Sequence, residues 1–147
     1  MRRTLRTRAI GLLVLVLSLA AVLVGLKLTP DPRGYGTHEQ LGSAPCGFLL
    51  VTGYPCPTCG MTTAFCHAVR GRWLAAVRVQ PAGFVFALAT ALAGILGACA
   101  LLVGRWPGWV FRWLNSPWLF VGLLTVLLGG WASKLALGLI DGTLPVR

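Results

Sequence analysis

Residues Ala82–Val103 read "AGFVFALATALAGILGACALLV", without one charged side chain. About 20 apolar residues wound as a helix cross the hydrocarbon core of a bilayer. A soluble fold has no use for so long an uncharged run, and this stretch places the chain among membrane proteins. Composition agrees: 56% of the 147 residues are hydrophobic and 11% are charged, with mean hydropathy +0.79. Ordinary soluble domains are about 45–50% apolar and about 25% charged.

Two more stretches have the same character. Ala9–Leu28, "AIGLLVLVLSLAAVLVGLKL", holds one charge, Lys27, and follows Arg2, Arg3, Arg6 and Arg8. "SLA" at Ser18–Ala20 fits a small-x-small signal cleavage site. The apolar run continues through Leu26, however, so an uncleaved anchor is expected. Trp118–Ile140 is the third span. Pro81 and Pro117 open their spans at the first helical position, where the missing N–H would be unpaired anyway. The chain divides into a basic N-terminus (1–8), a span (9–28), a loop with the cysteine motif and short helices (29–80), a span (81–103), a Trp-rich interfacial loop (104–117), a span (118–140) and a tail (141–147). The expected fold is an all-α membrane protein with three transmembrane helices and a re-entrant or interfacial helix between the first and second.

The net charge of +10 would suggest nucleic acid in a soluble protein. Here the arginines flank apolar runs, as they do where charge sets membrane topology and meets anionic headgroups. No stripe of basic and stacking side chains suits a nucleic acid. The lipid bilayer is the expected partner, with room for a membrane-protein partner or a homo-oligomer. The arginine-rich N-terminus belongs in the cytoplasm, which puts residues 29–80 and the C-terminus outside. Arg105 and Arg112 agree; Arg33, Arg70, Arg72 and Arg78 run against the rule. "RWLAAVRV" at Arg72–Val79 reads as a helix in the headgroup layer. Trp106, Trp109, Trp113 and Trp118 mark a membrane interface.

The loop carries the chemistry. Cys46, Cys56, Cys59 and Cys66 follow a C-x9-C-x2-C-x6-C pattern, and Cys99 stands apart as a small core residue. Thr58 is placed to cap a helix from Cys59 to about Val69, ended by Gly71. On that helix Cys59, Thr62, Thr63 and Cys66 would share a face, with His67 about 100° round from Cys66. Pro57 stiffens the turn between the paired cysteines and Gly60 lets other backbone approach. Three uses of the sulfurs stand open. Cys46 could close a stabilising disulfide with Cys56 or Cys66. Cys56 and Cys59 could exchange thiol and disulfide with a partner or a quinone. Cys46, Cys56, Cys59 and Cys66 could hold zinc or another metal. No cofactor follows from the spacing alone.

Other residues take plainer readings. His38 sits in a polar loop as a solvated side chain. Lys134, inside the third span, is expected to snorkel outward toward Asp141. Gly83, Gly94, Gly97, Gly122, Gly129, Gly130 and Gly138 are candidates for helix packing.

The stretch "CGFLLVTGYPCPTCGMTTAFCHAVRGRWLAAVRVQP", Cys46–Pro81, resembles the domain of unknown function 2752, a family of small bacterial multi-pass membrane proteins. Its pattern is carried by Cys46, Thr52, Gly53, Cys56, Pro57, Cys59, Gly60, Thr62, Ala64, Gly71, Ala75 and Pro81. Thr63 stands where the family often has Arg, and Gln80 where it usually has Asn. Cys66 and His67 lie outside the pattern. The resemblance implies a small integral protein of the bacterial inner membrane with the CPxCG motif, and no reaction. Three carboxylates and two histidines supply few acid–base groups. The expected function is therefore non-enzymatic: the cysteine motif organises an extracytoplasmic loop or a partner site. The thiol–disulfide oxidoreductase and the metal site are its alternatives.

Overall fold

The structure is a computed structural model, and residues 2–145 are described. Met1 of the basic N-terminus and the last two residues of the tail lie outside them. Among the described residues there are seven α-helices, one 3-10 turn and no strand: α1 (Arg2–Lys27), the 3-10 turn (Thr37–Leu41), α2 (Gly47–Thr52), α3 (Met61–Ala68), α4 (Trp73–Val79), α5 (Pro81–Val103), α6 (Gly108–Leu114) and α7 (Pro117–Ile140). Three are long and apolar enough to cross a membrane, over Thr4–Lys27, Pro81–Val103 and Pro117–Ile140. The first begins before Ala9 because the arginine-rich segment continues the helix.

The principal helix interface joins α1 to α5. Small residues let the backbones meet. A Cβ on Gly11 would stand 2.8 Å from the Gly97 carbonyl oxygen, and one on Gly97 would stand 2.8 Å from that of Gly11. Gly94 faces Ser18 one turn-pair along. Helix α7 joins the others near its middle, where Gly130 lies against Pro81 and Gln80. Gly122 and Gly129 have open space where a Cβ would stand, so they do not pack helices within the chain. Cys99 is exposed on α5 and is no core residue. The 3.6-residue period turns it away from Gly97 and Ala100, which are buried.

Between α1 and α5 the chain folds into a cap of α2, α3, α4 and the 3-10 turn. "FLLV" becomes part of α2, which ends at Gly53 with φ +73°. Thr52 steadies that end: its hydroxyl donates to the Phe48 carbonyl at 2.7 Å and accepts from the Tyr54 N–H. Helices α3, α4 and α5 converge on Ala64, Ala76 and Gly83, all buried. Helix α4 buries Ala76 and exposes Trp73, Leu74 and Val77, the pattern of a helix lying on an apolar phase. The Trp-rich stretch after α5 is not all loop: Pro107 starts the short helix α6.

Arg70 has a role other than headgroup contact. Its guanidinium donates to the carbonyls of Gly25 (2.7 Å), Leu26 (2.6 Å) and Leu28 (2.6 Å), and to Cys66 (2.8 Å). A helix end leaves four carbonyls without intrahelical partners, and here one side chain from the cap answers the end of α1. Arg33 is likewise occupied, paired with Asp31 at 2.8 Å and Glu39 at 3.3 Å.

Candidate metal centre

The CPxCG segment does not open the helix as its sequence suggests. Cys59 lies in a turn closed by its N–H on the Cys56 carbonyl at 3.0 Å, followed by Met61 N–H on Thr58. Gly60 then takes φ +89° as the residue before α3. Thr58 therefore caps nothing, and Cys59 is in a turn outside the helical face it was expected to share. Gly60 is needed twice over. Its φ lies in the left-handed region, and a Cβ there would stand 2.6 Å from the Gly34 carbonyl oxygen and 2.9 Å from Lys134 Nζ.

Two side chains of α7 and Gln80, just before α5, hold this turn by alternate carbonyls. Trp131 Nε1 donates to Pro55 at 2.8 Å. Gln80 Nε2 donates to Pro57 at 2.7 Å. Lys134 Nζ reaches Cys59 at 3.4 Å and Gly34 at 3.3 Å. Lys134 thus turns toward the back of the motif rather than toward Asp141, because these carbonyls and the Tyr35 ring, 6.0 Å away, offer it polar partners. None of the three was marked as a site residue by its sequence context. Gln80 had a signal only in standing where the family it resembles usually has Asn.

The sulfurs face the other way. Cys46, Cys56 and Cys59 bring their Sγ atoms within 4.8 Å of one another. Cys56 and Cys59 are closest, with Sγ atoms 3.2 Å apart and sharing a hydrogen bond. Cys46 precedes α2, so the short helix and the CPxC turn together make the triangle. The three line a cavity of about 420 Å³ with Tyr35, His38, Glu39 and Thr62 among its other walls. Cys66 is apart from this group. It is buried on α3, against an apolar groove with Gly25, Phe65 and Phe86. Burial pushes its thiol up, although Arg70 pulls the other way. His67 also stands outside; its Nδ1 is buried without a hydrogen-bond partner, and burial, then Arg72 and Arg70, lowers its affinity for a proton.

The electrostatics of the pair are asymmetric. Burial opposes ionisation of Cys56, but hydrogen bonds from Thr58, Cys59 and Cys46 outweigh it and bring the thiol down to about 7. Cys59 is pushed well up, by burial first and then by Cys56 and Cys46. Of the two, Cys56 is the thiol that ionises more readily.

Residues 46–94 match the model of a family described as protein of unknown function, DUF2752. The DUF2752 segment runs from Cys46 through the short helices to Gly94, past the middle of α5, 49 of the 147 residues. It contains all three clustered cysteines and Gln80. Trp131 and Lys134, which hold the turn from behind, and His38, which faces it, lie outside the segment. Neither the curated proteins nor the solved structures contain a match.

The donor set fits a soft or borderline metal ion. Zinc bound by thiolates at about 2.3 Å would set sulfurs about 3.8 Å apart in a tetrahedron; here Cys56 and Cys59 are 3.2 Å apart and all three sulfurs lie within 4.8 Å of one another. Three thiolates, one divalent ion and the Lys134 ammonium sum to zero charge. Thiolate ligands select zinc and copper(I) over hard cations.

Proposed function

We propose that this protein is a membrane-anchored metal-thiolate protein in which Cys46, Cys56 and Cys59 hold one thiophilic ion, zinc foremost, in a cap outside the cytoplasm. The observation that carries the reading is the convergence of three sulfurs within 4.8 Å on a cavity wall. Trp131, Gln80 and Lys134 already hold the loop backbone, which leaves the sulfurs free for a ligand. In this reading α1 is retained as an anchor, since α5 and Arg70 both use it. The orientation with the N-terminus in the cytoplasm gains support from Arg33 and Arg70. Their charges are answered inside the cap, so they weigh little in the balance of loop charges. A bacterial inner membrane is the setting that the family resemblance implies.

Metal analysis of detergent-purified protein tests the reading. About one zinc per chain is expected, lost on Cys46→Ser, Cys56→Ser or Cys59→Ser and kept on Cys66→Ser. A folded wild-type chain that takes up no zinc or copper(I) when offered either overturns it.

The 3.2 Å approach of Cys56 and Cys59 favours a second reading, thiol–disulfide exchange. Cys56 would attack and Cys59 resolve, as in other C-x-x-C pairs with one acidic thiol. Oxidation of the two thiols to a disulfide would hand two electrons and two protons to a quinone, giving the quinol. A pair that stays reduced in the presence of quinone would remove this reading.

A further inference from the structure

We infer that His38 is the fourth ligand of the metal held by Cys46, Cys56 and Cys59, closing a Cys3His set. The inference rests on the metal reading above.

His38 stands on the wall of the same cavity as the three sulfurs. It is carried by the 3-10 turn, and that turn is fixed to the cysteine-bearing cap by buried polar contacts. Thr37 and Thr63 share a hydroxyl hydrogen bond at 2.8 Å, with both side chains buried. The Asp31 N–H donates to the same Thr37 oxygen at 2.9 Å. The Gln40 amide exchanges two bonds with the Thr29 backbone, at 3.0 and 2.7 Å. Gly36 and Gly42 bracket the turn at φ +87° and +81°. Ordering a backbone opposes folding by about 1–2 kcal/mol per residue. A short polar turn held this firmly across from three sulfurs needs a reason, and a ligand supplies one.

Two other side chains on that wall, Glu39 and Tyr35, are engaged. Glu39 accepts from Arg33 at 3.3 Å, and the Tyr35 ring lies under the Arg33 guanidinium at 5.2 Å. Among the described residues the His38 imidazole has no hydrogen-bond partner. It stands outside the sulfur triangle, so the assignment requires the side chain to turn from its present rotamer toward the sulfurs across the shared cavity. Charge also selects it. Three thiolates, a divalent ion and a neutral imidazole carry −1, which the Lys134 ammonium behind Cys59 offsets. Glu39 as fourth ligand would double that negative charge at the edge of a low-dielectric phase. Cys3His is a familiar closed zinc set.

The test uses the full chain in detergent, titrated with zinc and with Co2+. Wild type should show the visible bands of tetrahedral Co2+ with thiolate charge transfer. His38→Ala should keep the charge transfer, shift the d–d bands and weaken binding at least tenfold, while His38→Cys should add charge-transfer intensity. On the unaltered chain, zinc should protect His38 from diethyl pyrocarbonate. Identical Co2+ spectra and affinities for wild type and His38→Ala, or carbethoxylation of His38 that zinc does not slow, would overturn the assignment. A wild-type chain that binds neither ion removes the metal reading itself, and this inference with it.

Discussion

Gln80, the last residue before α5, donates its side-chain N–H to the carbonyl of Pro57 at 2.7 Å. Its side chain is 1% exposed and its Oε1 is buried without a partner. The contact ties the start of a spanning helix to the centre of the CPxC turn. Gln80→Leu would strand the Pro57 carbonyl, at about 1–3 kcal/mol for a buried group left unpaired, and would also remove the orphan Oε1, which offsets part of that loss. The expected outcome is a small drop in melting temperature with a clear rise in the alkylation rate of Cys59. Unchanged alkylation would show that the turn holds itself.

The spanning helices were legible because hydropathy over about 20 residues is a local property. Pro81 and Pro117, read as openers of spans, are the first residues of α5 and α7, the latter one residue ahead of the expected Trp118. The cap was legible in outline only. Its short helices were expected, but the start of α3 was misplaced, because Thr58 resembles a cap and Gly60's positive φ is decided by what packs against it, Gly34 and Lys134. The pattern grouped four sulfurs; three of them converge, and tertiary packing turned Cys66 into the apolar groove. Lys134, Trp131 and His38 carried no local sign. The partners of Trp131 and Lys134 lie 75 or more residues away, and His38 is separated from Cys46 by a stretch rich in Gly and Pro, so only the folded chain brings them to the motif.

Gly60 and Gly71 make an internal comparison. Both have positive φ, +89° and +74°, but only Gly60 has neighbours where a Cβ would stand. Gly71→Ala should destabilise by about 1–2 kcal/mol, the ordinary left-handed penalty for an L residue. Gly60→Ala should lose that and about 1–3 kcal/mol more from overpacking against a backbone oxygen. It should also displace Lys134 and weaken metal binding, while Gly71→Ala leaves metal binding alone. Thermal melts and zinc titrations of the pair check both halves. Equal effects would mean that the Gly34 carbonyl yields without strain.

The Cys56 thiol gives a pH signature in the metal-free protein. The thiolate is the reactive form. With the thiol lowered to about 7, its alkylation rate should climb between pH 6 and 8 and then level off. Cys59, held as a thiol, should stay slow throughout that window. Thr58→Val removes the hydroxyl that does most to lower Cys56, so the midpoint should move up toward the ordinary value of about 8.5. Rates resolved by mass spectrometry at each cysteine decide this. A midpoint unmoved by Thr58→Val would assign the shift to Cys59 and Cys46 instead.

Arg70 offers the sharpest test of how the cap joins the membrane helices. Its guanidinium takes three carbonyls at the end of α1 and one within α3. The planar fork is what spans them; a lysine is a point charge on a flexible stem. Hydrogen bonds from charged groups are worth about 1.5–3 kcal/mol each, and bonds from one side chain are not additive. Arg70→Gln and Arg70→Lys should therefore both destabilise severely, with Lys recovering only a part. The loss should appear first as faster hydrogen exchange near residues 25–29 and α3, before global melting. If Arg70→Lys matched wild type in exchange and in melting, a simple positive charge near the helix dipole would account for the junction, and the fork geometry would have no special part in it.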